Sequence, residues 1–495
     1  MTHLLALDQG TTSSRAILFD KAGKIIEIAQ KELKLHTPEN GWVEQDAEDI
    51  WGDTLTTAKI VSKGANITAI GITNQRETTI VWDRETGKPL YNAIVWQDRR
   101  TSETCRALKS AGHEDMVTEK TGLLLDPYFS ATKIAWILEN VDGARKRAEA
   151  GELAFGTVES FLLWRLTEGR VHKTDITNAS RTMLFNIHDF AWDADLLDLF
   201  NIPRSLLPEV VPNVHDFGET SLIHDKGLPI TGIAGDQHAA MVGQTCFETG
   251  MMKSTYGTGC FALMNIGNKP KVSKNRLLTT IAYDIGEGPV YAIEGSIFVA
   301  GAAIQWLRDN MGFFKESTES EALARQAEQG SNGVVFVPAF TGLGAPYWNP
   351  DARGALLGLT RQTNMSNITY ACFEAQAFQT HDLISAMEKD TGVTIETIRV
   401  DGGLANNNLM CQILSNTLSV SVERPKNTEC TALGAAMLAG LGAGIYKDMD
   451  DLKAVWQSER VFEVESGLDD INRAKQIKAW TAAVSSVQNF ADENN

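Results

Sequence analysis

The chain has 495 residues, of which 43% are hydrophobic and 22% charged, and its 45 Lys and Arg against 63 Asp and Glu give a formal net charge of −18. That length exceeds what one compact core organises, so two domains are expected, divided as 1–243 and 244–495. The acidic balance argues against nonspecific binding to nucleic acid or an anionic membrane, and any anionic ligand must be held by local dipoles, Mg²⁺ and a few placed cations.

From the N-terminus the chain enters an apolar strand at once, without a basic or apolar leader, so no signal peptide is expected. Leu4 to Asp20 reads as strand, polar turn and strand. The turn, Asp8-Gln9-Gly10-Thr11-Thr12-Ser13-Ser14-Arg15, combines a carboxylate, a glycine, hydroxyls and an arginine. Gly10 lets backbone approach a ligand closely. N–H groups and hydroxyls at Thr11, Thr12 and Ser13 can donate to phosphate oxygens, and Arg15 matches phosphate geometry. Asp8, at a strand end, could hold Mg²⁺ directly or through water. The same residue types also build ordinary polar hairpins.

A third strand is expected at 24–34, then a helix capped by Asp46 and stopped by Gly64. A buried strand at 69–73 delivers Asn74-Gln75-Arg76-Glu77 at its end, where open α/β sheets place ligand groups. A polyol offers only hydroxyls, so its site needs rigid donors such as Arg76 and acceptors such as Glu77 and Asp236. An Arg-Glu pair is equally common as a surface ion pair. Trp96, taken alone, reads as core. The segment 119–140 reads as helix packing, 151–168 as a strand running into a helix, and 175–185 lies near the cleft without an assignable role. In Gly232-Ile233-Ala234-Gly235-Asp236-Gln237-His238, an apolar strand ends at a carboxylate that can accept a substrate proton or cap the next helix. His238 reads as structural.

The pattern restarts near Gln244. Met251 to Asn265 again sets a Gly-Thr-Gly turn between two strands, with Thr258 at its centre, an echo that signals duplication. Gly301 and Gln305 share a helix face by i,i+4 spacing. A long helix is expected at 367–389. A strand at 398–401 then ends in Gly402-Gly403, and a helix begins near Asn406, forming a cradle of backbone N–H groups for ribose or phosphate. The run 431–444 reads as a helix of small residues that lets neighbouring backbone pack closely, and it is too short to span a bilayer. Six scattered cysteines without a C-x-x-C pair fit a reduced compartment and argue against zinc or disulfides. No P-loop or dinucleotide fingerprint occurs.

The motifs DQGTTSSR, ITNQRETT at 72–79, GIAGDQ at 232–237, STYGTG at 254–259 and VDGG at 400–403, with YFSATKIAWILEN at 128–140 and GALLGLTRQTNMSNITYACFE at 354–374, together resemble the FGGY carbohydrate kinases, and within them the branch acting on glycerol. The resemblance runs to about Gly444 and covers the order and spacing of all these motifs. It implies two duplicated ribonuclease H-like α/β domains of the actin-like ATPase superfamily, with a catalytic cleft between them. It also implies ATP- and Mg²⁺-dependent phosphorylation of glycerol to sn-glycerol 3-phosphate, in the cytoplasm, without membrane insertion or nucleic acid. A homodimer or homotetramer is the expected assembly. In this reading Asp236 is the base. Arg76, Glu77, Tyr128, Asp236 and Gln237 meet the glycerol hydroxyls, with Trp96 and Phe261 against its carbons. Thr11, Thr12, Ser13, Arg15, Thr258, Gly301, Gln305, Gly403 and Asn407 meet the nucleotide, and Asp8 the metal. Some bacterial relatives carry a Gly-Gly-Thr-Arg loop for fructose 1,6-bisphosphate, where this chain has 224–228 without an arginine. The alternatives are another FGGY sugar or polyol kinase, favoured less by the adjacent Arg76 and Glu77, and a non-metabolic actin-like ATPase lacking a polyol pocket.

Overall fold

The computed structural model describes residues 2–224, 226–467 and 470–493. The first half opens with β1 (His3–Gln9), β2 (Ser13–Asp20) and β3 (Ile25–Glu32), followed by α1 (Ala47–Ser62), β4 (Ile67–Asn74), α2 (Val158–Leu166), β5 (Leu228–Gly235) and α3 (Asp236–Gly243). β1 to β3 form an antiparallel meander, and β4 and β5 add parallel to β1. The sheet order is the short strand Glu219–Thr220, β5, β4, β1, β2, β3.

The second half repeats this plan with β6 (Met252–Tyr256), β7 (Cys260–Gly267), β8 (Leu278–Tyr283), β9 (Val290–Ile297), α4 (Gly301–Asp309), α5 (Met365–Thr391), β10 (Thr397–Asp401), α6 (Asn408–Leu418), β11 (Ser421–Pro425) and α7 (Cys430–Gly442). β6, β7 and β9 reproduce the meander, and β10 and β11 add parallel to β6. The segment after 445, which carries no recognised motif, supplies the antiparallel edge strand β12 (Ser458–Phe462) and a closing helix α8 (Asp470–Glu493), whose Trp480 stacks on Phe378 of α5 at 5.6 Å.

The middle of β1, Leu4 to Leu7, is an unbroken apolar run because both faces of its sheet are covered. Leu5, Leu7, Ala16 and Leu18 share a core with α1 and α2, whereas Leu4, Ala6, Ile17 and Phe19 share one with α3 and α7. That second core continues into Leu263 and Ala292 of the second sheet, so α3 and α7 form a layer common to both halves. The small residues of α7 make this possible. A Cβ on Gly434 would lie 1.8 Å from the Ala239 carbonyl oxygen, and one on Gly71 of β4 would lie 2.1 Å from that of Ala435. A helix from the second half therefore covers the first half's sheet. Among the described residues no helix is long and apolar enough to cross a membrane.

Candidate active site

The parallel strands β1, β4 and β5 end on one edge of the first sheet, with Asp8 in register with Thr73 and Asn74 with Gly235. That edge brings together Asp8, the segment Asn74–Glu77 and Asp236, as expected for ligand groups in an open α/β sheet. Arg76 Nε lies 3.1 Å from an Asp236 carboxylate oxygen. Gly235, not Asp236, occupies the cap position of α3, and the Asp236 carboxylate accepts the Gln237 N–H at 2.6 Å. The capping alternative is thereby corrected: the carboxylate sits at the first helical residue and remains partly exposed. Burial raises its pKa above the ordinary carboxylate value, opposed by Arg76.

Arg76 and Glu77 do not pair with each other. Arg76 donates to both oxygens of Glu294 at 2.6 and 3.2 Å, Glu294 accepts from Arg181 at 2.9 Å, and Arg181 donates to Glu77 at 2.7 Å. All four side chains are buried. Glu77 holds a left-handed backbone conformation, φ +60°, which costs a non-glycine residue energy and is a recurrent mark of functional sites. Burial pushes the Glu294 carboxyl up, yet Arg181 and Arg76 outweigh it and hold it down to about 2. His238 is fully buried and kept neutral, by burial first and then by Arg76, Arg181 and Lys253; its Nε2 lies 3.2 Å from the Thr280 hydroxyl.

Three aromatic rings from distant segments meet beside this cluster. Trp96 lies edge-on to Tyr128 at 5.7 Å and to Phe261 of the second half at 6.1 Å. The Trp96 indole N–H donates to the Thr11 hydroxyl at 2.9 Å, linking the ring wall to the first hairpin turn. In that turn Gly10 N–H donates to Ser13 O at 2.9 Å, and Thr12 is exposed. Arg15 is engaged by Asp8 and, at 2.6 Å, by Glu429. Burial raises the Asp8 carboxyl, opposed by Arg15.

On the second half, a cavity of about 510 Å³ gathers Thr258 of the Gly-Thr-Gly turn, Gly301 and Gln305 of α4, and Gly403 and Asn407 between β10 and α6. The volume is that of a small-ligand site. Gly301 N–H donates to Gly257 O at 2.9 Å and a Cβ there would meet that oxygen at 2.6 Å, so the turn and α4 touch through backbone. Gly402 (φ +87°) closes against Tyr256, whereas a Cβ on Gly403 would meet nothing within 4 Å. The surface at Gly403 is thus backbone open to a ligand, as a nucleotide requires. Among the described residues no cluster of three or more His, Cys, Asp or Glu side chains could cage a metal. A single buried carboxylate such as Asp8 fits Mg²⁺, which takes one or two protein carboxylates and completes its shell with phosphate and water.

Three residues of the buried charge cluster escaped the sequence reading: Arg181, Glu294 and Lys253. Each is a lone charge in an otherwise apolar or small-residue run, and a buried charge must find a partner. That signal marks them as paired without saying with what.

Residues 3–243 match the N-terminal domain, and residues 252–443 the C-terminal domain, of the FGGY family of carbohydrate kinases. The chain is 58% identical over 490 residues to a glycerol kinase of Nitrosomonas eutropha and 56% identical over 493 residues to one of Alcanivorax borkumensis, covering 98% of each chain in both cases. Its structure is similar to that of the Plasmodium falciparum glycerol kinase with ADP, with a TM-score of 0.93, 36% identity and 98% of both chains covered.

Proposed function

Because this chain belongs to the FGGY family of carbohydrate kinases, we propose that it transfers the γ-phosphoryl group of ATP to a terminal hydroxyl of glycerol, giving sn-glycerol 3-phosphate. The observation that carries the reading is the convergence of Asp236, Arg76 and Gln237 with the Trp96, Tyr128 and Phe261 rings on the edge shared by the two halves. The rings suit a short carbon chain and the charged groups suit its hydroxyls. A switch ATPase needs neither.

In this mechanism glycerol lies against Trp96 and Phe261, with Arg76, Glu77, Tyr128 and Gln237 directing its hydroxyls. Asp236 accepts the proton of the attacking hydroxyl, and its burial-raised pKa brings it closer to working pH than an exposed aspartate. The hairpin residues Thr11, Thr12, Ser13, Arg15 and Thr258 orient the phosphates, while Gly301, Gln305, Gly403 and Asn407 hold the nucleoside end in the cavity. Asp8 would hold Mg²⁺, which supplies neutralisation of the phosphate oxygens when bound.

In this reading the division is 1–243, which binds glycerol and supplies the first phosphate hairpin, and 244–495, which binds the nucleotide. The six unpaired, buried cysteines support a cytoplasmic location, and a homodimer or homotetramer is the proposed assembly. At 224–228, where Asp225 lies outside the described residues, no arginine offers a fork to fructose 1,6-bisphosphate, so little inhibition by it is expected. The test of function is ATP turnover across a panel of polyols, pentuloses and gluconate, with the product identified by phosphorus NMR. Sharp stimulation by glycerol with stoichiometric glycerol 3-phosphate is expected. Preference for a pentulose, or turnover indifferent to every acceptor, would overturn the reading.

A further inference from the structure

Two buried charges from the second half reach the acceptor site without a role in the mechanism above. The register pairs Lys253 of β6 with Leu263 of β7, and Leu263 with Glu294 of β9. Directly paired residues of neighbouring antiparallel strands share a face, so the three side chains form one row across the second sheet. Leu263 packs into the core common to both halves, which fixes the row's direction toward the first half. At its two ends the row grips the two residues beside Asp236. Lys253 Nζ donates to the Gln237 side-chain oxygen and, at 3.1 Å, to the Thr255 hydroxyl. Glu294 takes both terminal nitrogens of Arg76, and one of Arg181.

Lys253 is 0% and Glu294 1% exposed. Buried ion pairs stabilise a fold no better than apolar residues of equal volume, so stability does not explain the row. Building on the acceptor chemistry proposed above, we propose that Lys253 and Glu294 are positioning residues for the phosphoryl acceptor. Glu294 clamps the Arg76 guanidinium at a fixed angle, leaving its Nε for Asp236. Lys253 has three donors and no acceptor, so the Gln237 amide must give it the oxygen. The amide NH₂ is left as a donor for a substrate hydroxyl. The second half thus fixes hydrogen-bond polarity in a site whose ligating atoms belong mostly to the first.

The row also acts on Asp236 with two opposite signs. The groups facing Asp236 are Arg76, the Gln237 N–H, Lys253 and Glu294, while His238 next to it is neutral. Removing the Lys253 charge should raise the pKa of the base, and removing that of Glu294 should lower it.

The experiment measures kcat, both KM values and the acid limb of the pH profile for the full-length protein and three variants. Lys253→Met is expected to raise KM for glycerol about tenfold, the worth of one lost hydrogen bond, and to move the acid limb to higher pH. Glu294→Gln removes the charge but keeps an acceptor for Arg76, so kcat is expected to fall by up to about 10²-fold as the guanidinium loses its fixed angle, while Arg76 Nε stays beside Asp236 and the limb moves to lower pH. Glu294→Asp keeps the charge at a shorter reach, so KM for glycerol should rise while the limb stays in place. KM for ATP should hold in all three. If Glu294→Gln does not fold by near-UV circular dichroism, the other two variants decide. Limbs that move together or not at all, or KM values for ATP and glycerol that rise in step, would overturn the proposal. Wild-type protein that leaves glycerol unphosphorylated would break the functional reading instead.

Discussion

The two hairpins are built to one plan and carry opposite chemistry. Asp8-Gln9-Gly10-Thr11 in the first occupies the place of Thr255-Tyr256-Gly257-Thr258 in the second. Asp8 stands in register with Thr73 on the neighbouring parallel strand, while Thr255 stands in register with Asp401. The carboxylate and the threonine have traded strands. Across each hairpin the change is larger: Asp8 pairs with Arg15, an ion pair, whereas Thr255 pairs with Phe261, whose ring joins the aromatic wall at Trp96. Duplication thus conserved backbone geometry and freed the side chains to divide the work. The first half holds Arg76, Glu77 and Asp236 at the acceptor end, and the second holds the Gly-rich 510 Å³ cavity and, through Lys253 and Glu294, grips Gln237 and Arg76 from behind.

If that division is real, the largest effect should follow from removing the base. Asp236→Asn keeps the shape but cannot take a proton, so kcat should fall by roughly 10²–10⁴ with KM for ATP little changed. A folded variant keeping more than about a tenth of wild-type kcat would remove Asp236 from that role. The wild-type acid limb should lie above the ordinary aspartate range, because burial raises this carboxyl and the base works only when deprotonated. Activity is therefore lost as pH falls through the raised value, and a limb at or below the ordinary range would contradict the partly buried placement.

Next in size is a test of whether the halves are independent bodies. Gly434→Ala in α7 forces a methyl against the Ala239 backbone, where a Cβ has 1.8 Å. Overpacking there should cost about 1–3 kcal/mol. Since α7 covers the first sheet while belonging to the second half, urea unfolding should stay a single transition with a lower midpoint. Separation into two transitions would mean that the shared layer does not couple the halves.

The smallest effects sharpen the boundary between the two tasks. Thr258→Val should raise KM for ATP about tenfold and spare glycerol. Phe261→Ala, three residues along the same hairpin, should raise KM for glycerol by a similar factor and spare ATP. Should both variants weaken the same substrate, the second hairpin would serve one task and not two.

Local pattern made much of this molecule legible. Unbroken apolar strands, the Gly-Thr turns and charged residues at strand ends report the hairpins, the duplication and the place of Asp8, Arg76 and Asp236, because those features depend on neighbours a few residues away. Small residues at 431–444 even announced close helix packing, and Gly301 with Gln305 announced a shared face. The sequence could not say that Glu294 meets Arg76 across 218 positions, that Arg15 pairs with both Asp8 and Glu429, or that a helix of the second half roofs the first sheet. A lone charge in an apolar strand states that a partner must exist. Which partner it finds is decided by sheet register and by the docking of one half on the other, and these are properties of the folded whole.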